Sequence, residues 1–211
     1  MTITKRLIIS YIFYFIAAFG VSLSIEANIG VGSLNTVVLP LSKIFSIKEG
    51  YSIILLNMIF MIMYMIMTKF KFKVKYIVQI VSIVFFGSVI NLFLYNIYPS
   101  FEVNSYPIRV VMLTLGTSIG GLSIGVIVAL NAMTFPVESF CHQLENMKII
   151  SFVKARYGLD IIFISSSLIL STVFSLDYFV REGTLISMIL LSFMMHTTKT
   201  FTEKNFLKQP K

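Results

Sequence analysis

Apolar residues run almost unbroken over six stretches of the chain, 7–27, 51–68, 76–98, 110–132, 157–176 and 183–197, and polar residues gather between them. A helix that crosses hydrocarbon takes about 20 residues and satisfies all of its backbone groups internally. Five stretches reach or approach that length, and the sixth is the shortest. A membrane β-barrel would alternate apolar and polar positions, which these stretches do not do. Two further pieces carry a helical period but are only about ten residues long; they follow the first and fourth stretches and end near Phe45 and Ile149. The order long, short, long, long therefore occurs twice.

The halves also share residues at matching places. The first long stretch leaves through Gly20…Ala27-Asn28-Ile29-Gly30-Val31-Gly32-Ser33-Leu34-Asn35, and the fourth through Gly125…Ala132-Met133-Thr134-Phe135-Pro136-Val137-Glu138. Each is followed by an amphipathic stretch, a lysine-bearing link (Lys48, Lys154) and a tyrosine that opens the next stretch (Tyr51, Tyr157). Three crossings per half is an odd number, so the second half enters from the opposite side. The expected fold is an all-α integral membrane protein of six transmembrane helices. They form two inverted three-helix repeats, 7–98 and 107–198, whose broken connectors re-enter the bilayer. The whole of 1–211 makes one membrane domain with a cytoplasmic tail from 199. In inverted-repeat transporters such interrupted segments mark the binding site.

Composition narrows the class further. Of 211 residues, 57% are hydrophobic and 12% charged, against about 25% charged in a soluble domain. That excludes a soluble enzyme, a disordered regulator and a nucleic-acid-binding module. The net charge of +8 comes from short basic clusters between apolar runs, the mark of cytoplasmic loops. With six crossings, only Lys43, Lys48, Arg109 and Arg181 of the 17 basic residues face outward, which places both termini in the cytoplasm. Glu26, Glu49, Glu102, Asp177 and Glu182 fall at or beyond the outer face. The expected location is a bacterial inner membrane. The run after Lys5 and Arg6 is longer than a signal-peptide core, so the first helix is expected to be retained. The Lys69-Phe70-Lys71-Phe72-Lys73-Val74-Lys75 link reads as a topology anchor, and its lysines also suit acidic headgroups. Tyr95, Tyr98 and Tyr106 read as interfacial anchors.

The candidate chemistry is sparse. One cysteine and two histidines do not make a zinc site, and no nucleotide-binding or hydrolase motif is present. No cofactor, no metal and no enzymatic activity are expected. Glu138 follows Pro136, which suits the first turn of a helix, and Thr134 is placed to cap that turn. Its carboxylate then faces the positive end of the helix dipole. Glu26 and Asp160 are the acids nearest the membrane interior, where an ionisable group is a functional candidate; Asp160 also stands four residues after Arg156, the spacing of a helix-surface ion pair. Asn35, with Gly30 and Ser33 before it, occupies the first connector at the place Glu138 holds in the second. Gly116, Gly120, Gly121 and Gly125 suit close helix packing.

The Gly20…Ala27-x-x-Gly30-x-x-Ser33-x-Asn35 run resembles the signature of the YczE/YitT-type bacterial membrane proteins, and Gly183-Thr184 resembles their late Gly-Thr motif. The chain departs from that pattern with Ser33 in place of proline, Leu34 in place of tryptophan, and Phe135 in place of a glycine in the second copy. The resemblance implies a polytopic inner-membrane protein often suspected of transport or export. The expected activity is transport or export of a small solute at a site between the repeats, in the company of the lipid bilayer. A homo-oligomer or a partner subunit remains open. Two other readings also stay open: a substrate-binding subunit of an energy-coupling-factor type transporter, and a scaffold that transports nothing.

Overall fold

The computed structural model describes residues 2–100 and 105–206. Glu102, Lys208 and Lys211, and with the last two the end of the tail, lie outside them. The described residues form eight helices: α1 (Ile3–Glu26), α2 (Ser33–Phe45), α3 (Glu49–Met67), α4 (Lys73–Leu92), α5 (Tyr106–Leu130), α6 (Pro136–Asn146), α7 (Phe152–Val173) and α8 (Glu182–Phe206). A wider π turn, Phe93–Ile97, and a tighter 3-10 turn, Tyr98–Ser100, continue α4. The order long, short, long, long is present in both halves. At 1.5 Å per residue, the 13 residues of α2 and the 11 of α6 fall short of a bilayer core.

Five helices are long and apolar enough to cross a membrane: α1, α3, α4 with its π turn, α5 and α7. Six were expected. α8 has the length, at 25 residues, but its second half carries His196, Lys199, Glu203 and Lys204 and so dilutes its apolar run. Burial in α8 is nevertheless inside-out. Leu185, Ile189 and Phe193 are exposed, with Ile189 at 75%, whereas Thr184 and Ser187 are fully buried. Elsewhere many large aliphatic side chains are exposed too, while buried serines and threonines stand among buried apolar side chains. Lipid is as apolar as leucine, so burial of aliphatic surface drives nothing there, and small polar residues pack the helices instead.

The chain divides into two compact units. Unit 1 comprises Met1–Gly32, Val89–Met133 and Arg181–Lys211, and is built from α1, α5, α8 and the end of α4. In it α5 packs against both α1 and α8. A Cβ added at Gly20 would stand 2.6 Å from the Gly116 carbonyl oxygen, and one added at Gly116 would stand 2.6 Å from the Gly20 carbonyl oxygen. The two helices thus meet backbone to backbone. On another face of α5, Gly121 fits under Met194 and Gly125 under the Met195 carbonyl. A second close approach joins the segment after α1 to the start of α8. The Gly183 N–H donates to the Ile29 carbonyl at 3.0 Å. Gly30 has φ +116°, and a Cβ there would stand 2.6 Å from the Thr184 nitrogen, so both conformation and space require glycine. Tyr98, read from the sequence as an interfacial anchor, is instead buried, stacked on Phe93 and 3.2 Å from the Ser22 hydroxyl. The π turn carries it inward. Tyr95 and Tyr106 are exposed.

Unit 2 comprises Ser33–Ser88 and Thr134–Val180. It contains each short helix with the long helix that follows it, and most of α4. The packing is reciprocal: α2, from the first half, packs on α7, and α6, from the second, packs on α3, while each also touches its own successor. Val37, Phe60, Val137, Phe140, Cys141, Ala155 and Phe163 form the shared core. Phe60 of α3 sits in its middle, edge-on to Phe140 of α6 at 5.5 Å and to Phe163 of α7 at 5.7 Å.

Candidate functional site

The start of each short helix carries polar groups. α2 begins at Ser33, whose hydroxyl donates to Asp160 Oδ1 on α7 at 2.5 Å. One turn along, the Thr36 hydroxyl returns to the Ser33 carbonyl at 2.6 Å, and Ser167 of α7 donates to the Thr36 carbonyl at 2.6 Å. The first turn of α2 is thus tied to α7 at two levels. Asp160 is buried, and Arg156 Nη1, four residues earlier on α7, lies 2.9 Å from the same Oδ1. The pair is at ion-pair distance but out of line for a hydrogen bond. It is largely shielded, the two side chains being 23% and 11% exposed, so its loss would leave a charge in an apolar setting.

α6 begins at Pro136, with Glu138 in its first turn. Proline fits the first helical position because that N–H has no partner in any helix. Thr134 does not cap the turn as the sequence suggested: Phe135 is the capping residue, without a side-chain cap. The Thr134 hydroxyl lies instead 2.5 Å from that of Ser139. Gln79 of α4, almost wholly buried, donates through Nε2 to the Thr134 carbonyl at 2.8 Å and to Ser139 Oγ at 2.7 Å. Glu138 is half-buried, and its Oε2 is shut off from solvent with no hydrogen-bond partner among the described residues.

Cys141, one turn further along α6, is completely buried. Burial pushes its thiol up to about 11; Glu138 and Asp160 add to the shift and Arg156 opposes it. The thiol is therefore protonated and a poor nucleophile at neutral pH. All three charged groups act on this one atom.

Unit 2 thus holds Ser33, Asn35, Pro136, Glu138 and Asp160. It joins Ser33 directly to Asp160, and Asn35 lies half-buried two residues into α2. Gly30 and Glu26 belong to unit 1. Gly30 serves the close approach to Thr184, and Glu26 is half-buried at the end of α1. Gly116, Gly121 and Gly125 stand at backbone contacts, whereas Gly120 has nothing nearer than Val21 Cγ2 at 4.0 Å. Sequence reading passed over Gln79 and Ser139. The signal for Gln79 was available: a lone amide inside an apolar helix has to find a partner.

A model of a family of unknown function, DUF6198, matches residues 4–200. No curated protein and no solved structure matches the chain.

Proposed function

We propose that this chain, which belongs to the DUF6198 family of unknown function, is a membrane transporter or exporter of a small solute. Glu138 is the observation that carries the reading. It places a carboxylate oxygen, hidden from solvent and without a hydrogen-bond partner among the described residues, on the first turn of a helix too short to span. An ionisable group so held is costly and is kept for function. The Ser33–Asp160–Arg156 cluster stands in the same unit.

In this reading the two halves are inverted repeats, α2 and α6 re-enter the bilayer, and α8 makes the sixth crossing. The inside-out burial of α8 and the reciprocal packing of α2 on α7 and α6 on α3 support it. The bias of basic residues supports cytoplasmic termini in a bacterial inner membrane. The resemblance of the Gly20…Asn35 run to the YczE/YitT-type proteins points the same way. Asn35, Ser33 and Asp160 serve solute binding, and Glu138 couples the movement to an ion gradient.

Purified protein in liposomes carrying an internal pH dye, challenged with a panel of small solutes, tests this. At least one solute should provoke flux in the native protein, and Glu138→Gln should abolish it. Equal flux in the variant would remove Glu138 from the mechanism, and no flux with any solute would remove transport.

A further inference from the structure

The link between α3 and α4 joins two of the helices that are long and apolar enough to cross a membrane. It closes α3 in a hydrogen-bonded turn: the Lys69 N–H donates to the Ile66 carbonyl and the Phe70 N–H to the Met65 carbonyl, both at 3.0 Å. The Tyr76 hydroxyl of α4 lies 2.5 Å from that of Thr68 at the end of α3 and ties the two helices across the turn. In such a turn the first residue past the cap is left-handed and is usually glycine. Here it is Lys69, at φ +51°, and Phe70 follows at +57°, the only two successive positive φ angles among the described residues. A bulky side chain is costly in that conformation, and glycine would close the turn more easily. Local backbone preference therefore does not select these two side chains.

What they share with the residues after them is exposure. All of 69–74 is exposed, with Phe70 at 55%, Phe72 at 50% and Val74 at 77%. None of Lys69, Lys71 and Lys73 forms an ion pair among the described residues. Uncompensated positive charges thus alternate with uncovered apolar side chains where two crossing helices leave the bilayer. Fixing the orientation of the helices needs the lysines, but neither the exposed aromatic rings nor the left-handed pair. A soluble acidic partner would answer the charges, and hydrocarbon would answer only the rings. The headgroup boundary of an anionic leaflet answers both, because phosphates meet the ammonium groups while the apolar side chains enter the acyl edge. In the topology proposed above the link faces the cytoplasm, the side on which the leaflet surface is negative.

We infer that the α3–α4 link binds anionic phospholipid headgroups, with Lys69, Lys71 and Lys73 taking the phosphates and Phe70, Phe72 and Val74 the acyl boundary. The inference requires that the chain lie in a membrane and is independent of whether it transports.

The chain has no tryptophan, so Phe72→Trp places a single fluorophore in the strip for the test. The full chain carrying it is reconstituted in phosphatidylcholine vesicles that contain brominated phosphatidylglycerol or, at equal mole fraction, brominated phosphatidylcholine. Quenching then reports which lipid stands at the link. Phosphatidylglycerol should be favoured by roughly tenfold, and high salt should reduce the preference. A lysine near an anionic surface contributes up to about fivefold. Lys71→Gln should therefore lower the preference by up to about that factor, and Lys69→Gln, Lys71→Gln and Lys73→Gln together should abolish it. Should the triple variant fail to fold, the single variant and the salt series carry the test. Phe174→Trp, at the end of α7 and far along the chain from any lysine, should report no preference. Equal quenching by the two lipids in Phe72→Trp would overturn the inference. So would a preference that salt and the lysine variants leave intact, or one just as strong in Phe174→Trp. Lysine-dependent binding of soluble poly-glutamate with no lipid preference would assign the strip to an acidic protein instead and overturn it as well.

Discussion

Where α1 crosses α5, two glycines set backbone against backbone; where α2 crosses α7, a serine hydroxyl reaches a buried carboxylate. Both are ways of holding helices together in lipid, where burying aliphatic surface gains nothing. The first uses van der Waals contact between surfaces without side chains. The second uses directed polar bonds whose loss leaves a polar group stranded. Unit 1 relies on the first device at three faces: Gly20 against Gly116, Gly121 and Gly125 against α8, and Gly30 against Thr184. Its buried hydroxyl contacts, such as Thr117 to Ser187 at 3.2 Å, join neutral groups. Unit 2 concentrates the buried charge, with the Arg156–Asp160 pair and Glu138 around the Cys141 thiol. Unit 1 is built as a rigid frame. Unit 2 carries the cost of keeping charged groups in an apolar setting.

The largest effect is expected where two backbones meet. Gly116→Leu should cost about 3 kcal/mol or more and remove most of the folded yield, because the clash is with backbone that cannot move aside. Gly120→Ala, one turn along the same helix, should change yield little, since a Cβ there meets only open space and Val21 Cγ2. Size-exclusion profiles of the two variants at equal expression check this contrast. If both behave alike, glycine packing is not what joins α1 to α5.

Next comes the charged pair of unit 2. Asp160→Asn leaves Arg156 without its counter-ion and should cost about 3 kcal/mol, seen as a lower Tm in detergent. Changing both partners to apolar residues, Asp160→Leu with Arg156→Met, should restore most of that loss, because no charge is then stranded. A double variant as unstable as the single one would mean that the cluster holds α2 and α7 by geometry rather than by charge.

The smallest effect concerns the thiol that senses this cluster. Cys141 is fully buried and its folded pKa is raised to about 11, above the unfolded value near 9. Its contribution to stability is therefore complete at neutral pH and fades as pH rises from about 9 through 11. Maleimide labelling of the folded protein at pH 7 should be negligible beside a denatured control. Rapid labelling at pH 7 would place solvent inside the core of unit 2.

Much of the helical order was legible because it rests on local pattern. Continuous apolar runs give α1, α3, α4, α5 and α7, and amphipathic stretches about ten residues long give α2 and α6. α8 was only half legible, because the charged and polar residues of its second half lower its hydropathy although its length suffices to cross. Contacts were less accessible. Ser33 and Asp160 were each singled out, but they lie 127 positions apart and nothing in the sequence pairs them. Gly30 and Gly183-Thr184 were noticed as separate short motifs, whereas they form one backbone contact. Tyr98 was placed at the interface because a tyrosine near a helix end usually sits there; a π turn, which has no sequence signature at this length, carries it inside. Gln79 escaped notice because attention went to asparagines and acids, although a glutamine in an apolar run has the same need for a partner.

The division of labour between the units is open to one direct measurement. Alanine is placed at Ser33, Asn35 and Glu138 in unit 2 and at Ser22, Thr117 and Ser187 in unit 1, and solute flux in liposomes is scored per folded molecule. Flux per molecule should collapse for the unit 2 set, while the unit 1 set changes only the amount of folded protein. Loss of flux per molecule confined to Ser22, Thr117 and Ser187, with the unit 2 set active, would contradict the assignment of function to unit 2.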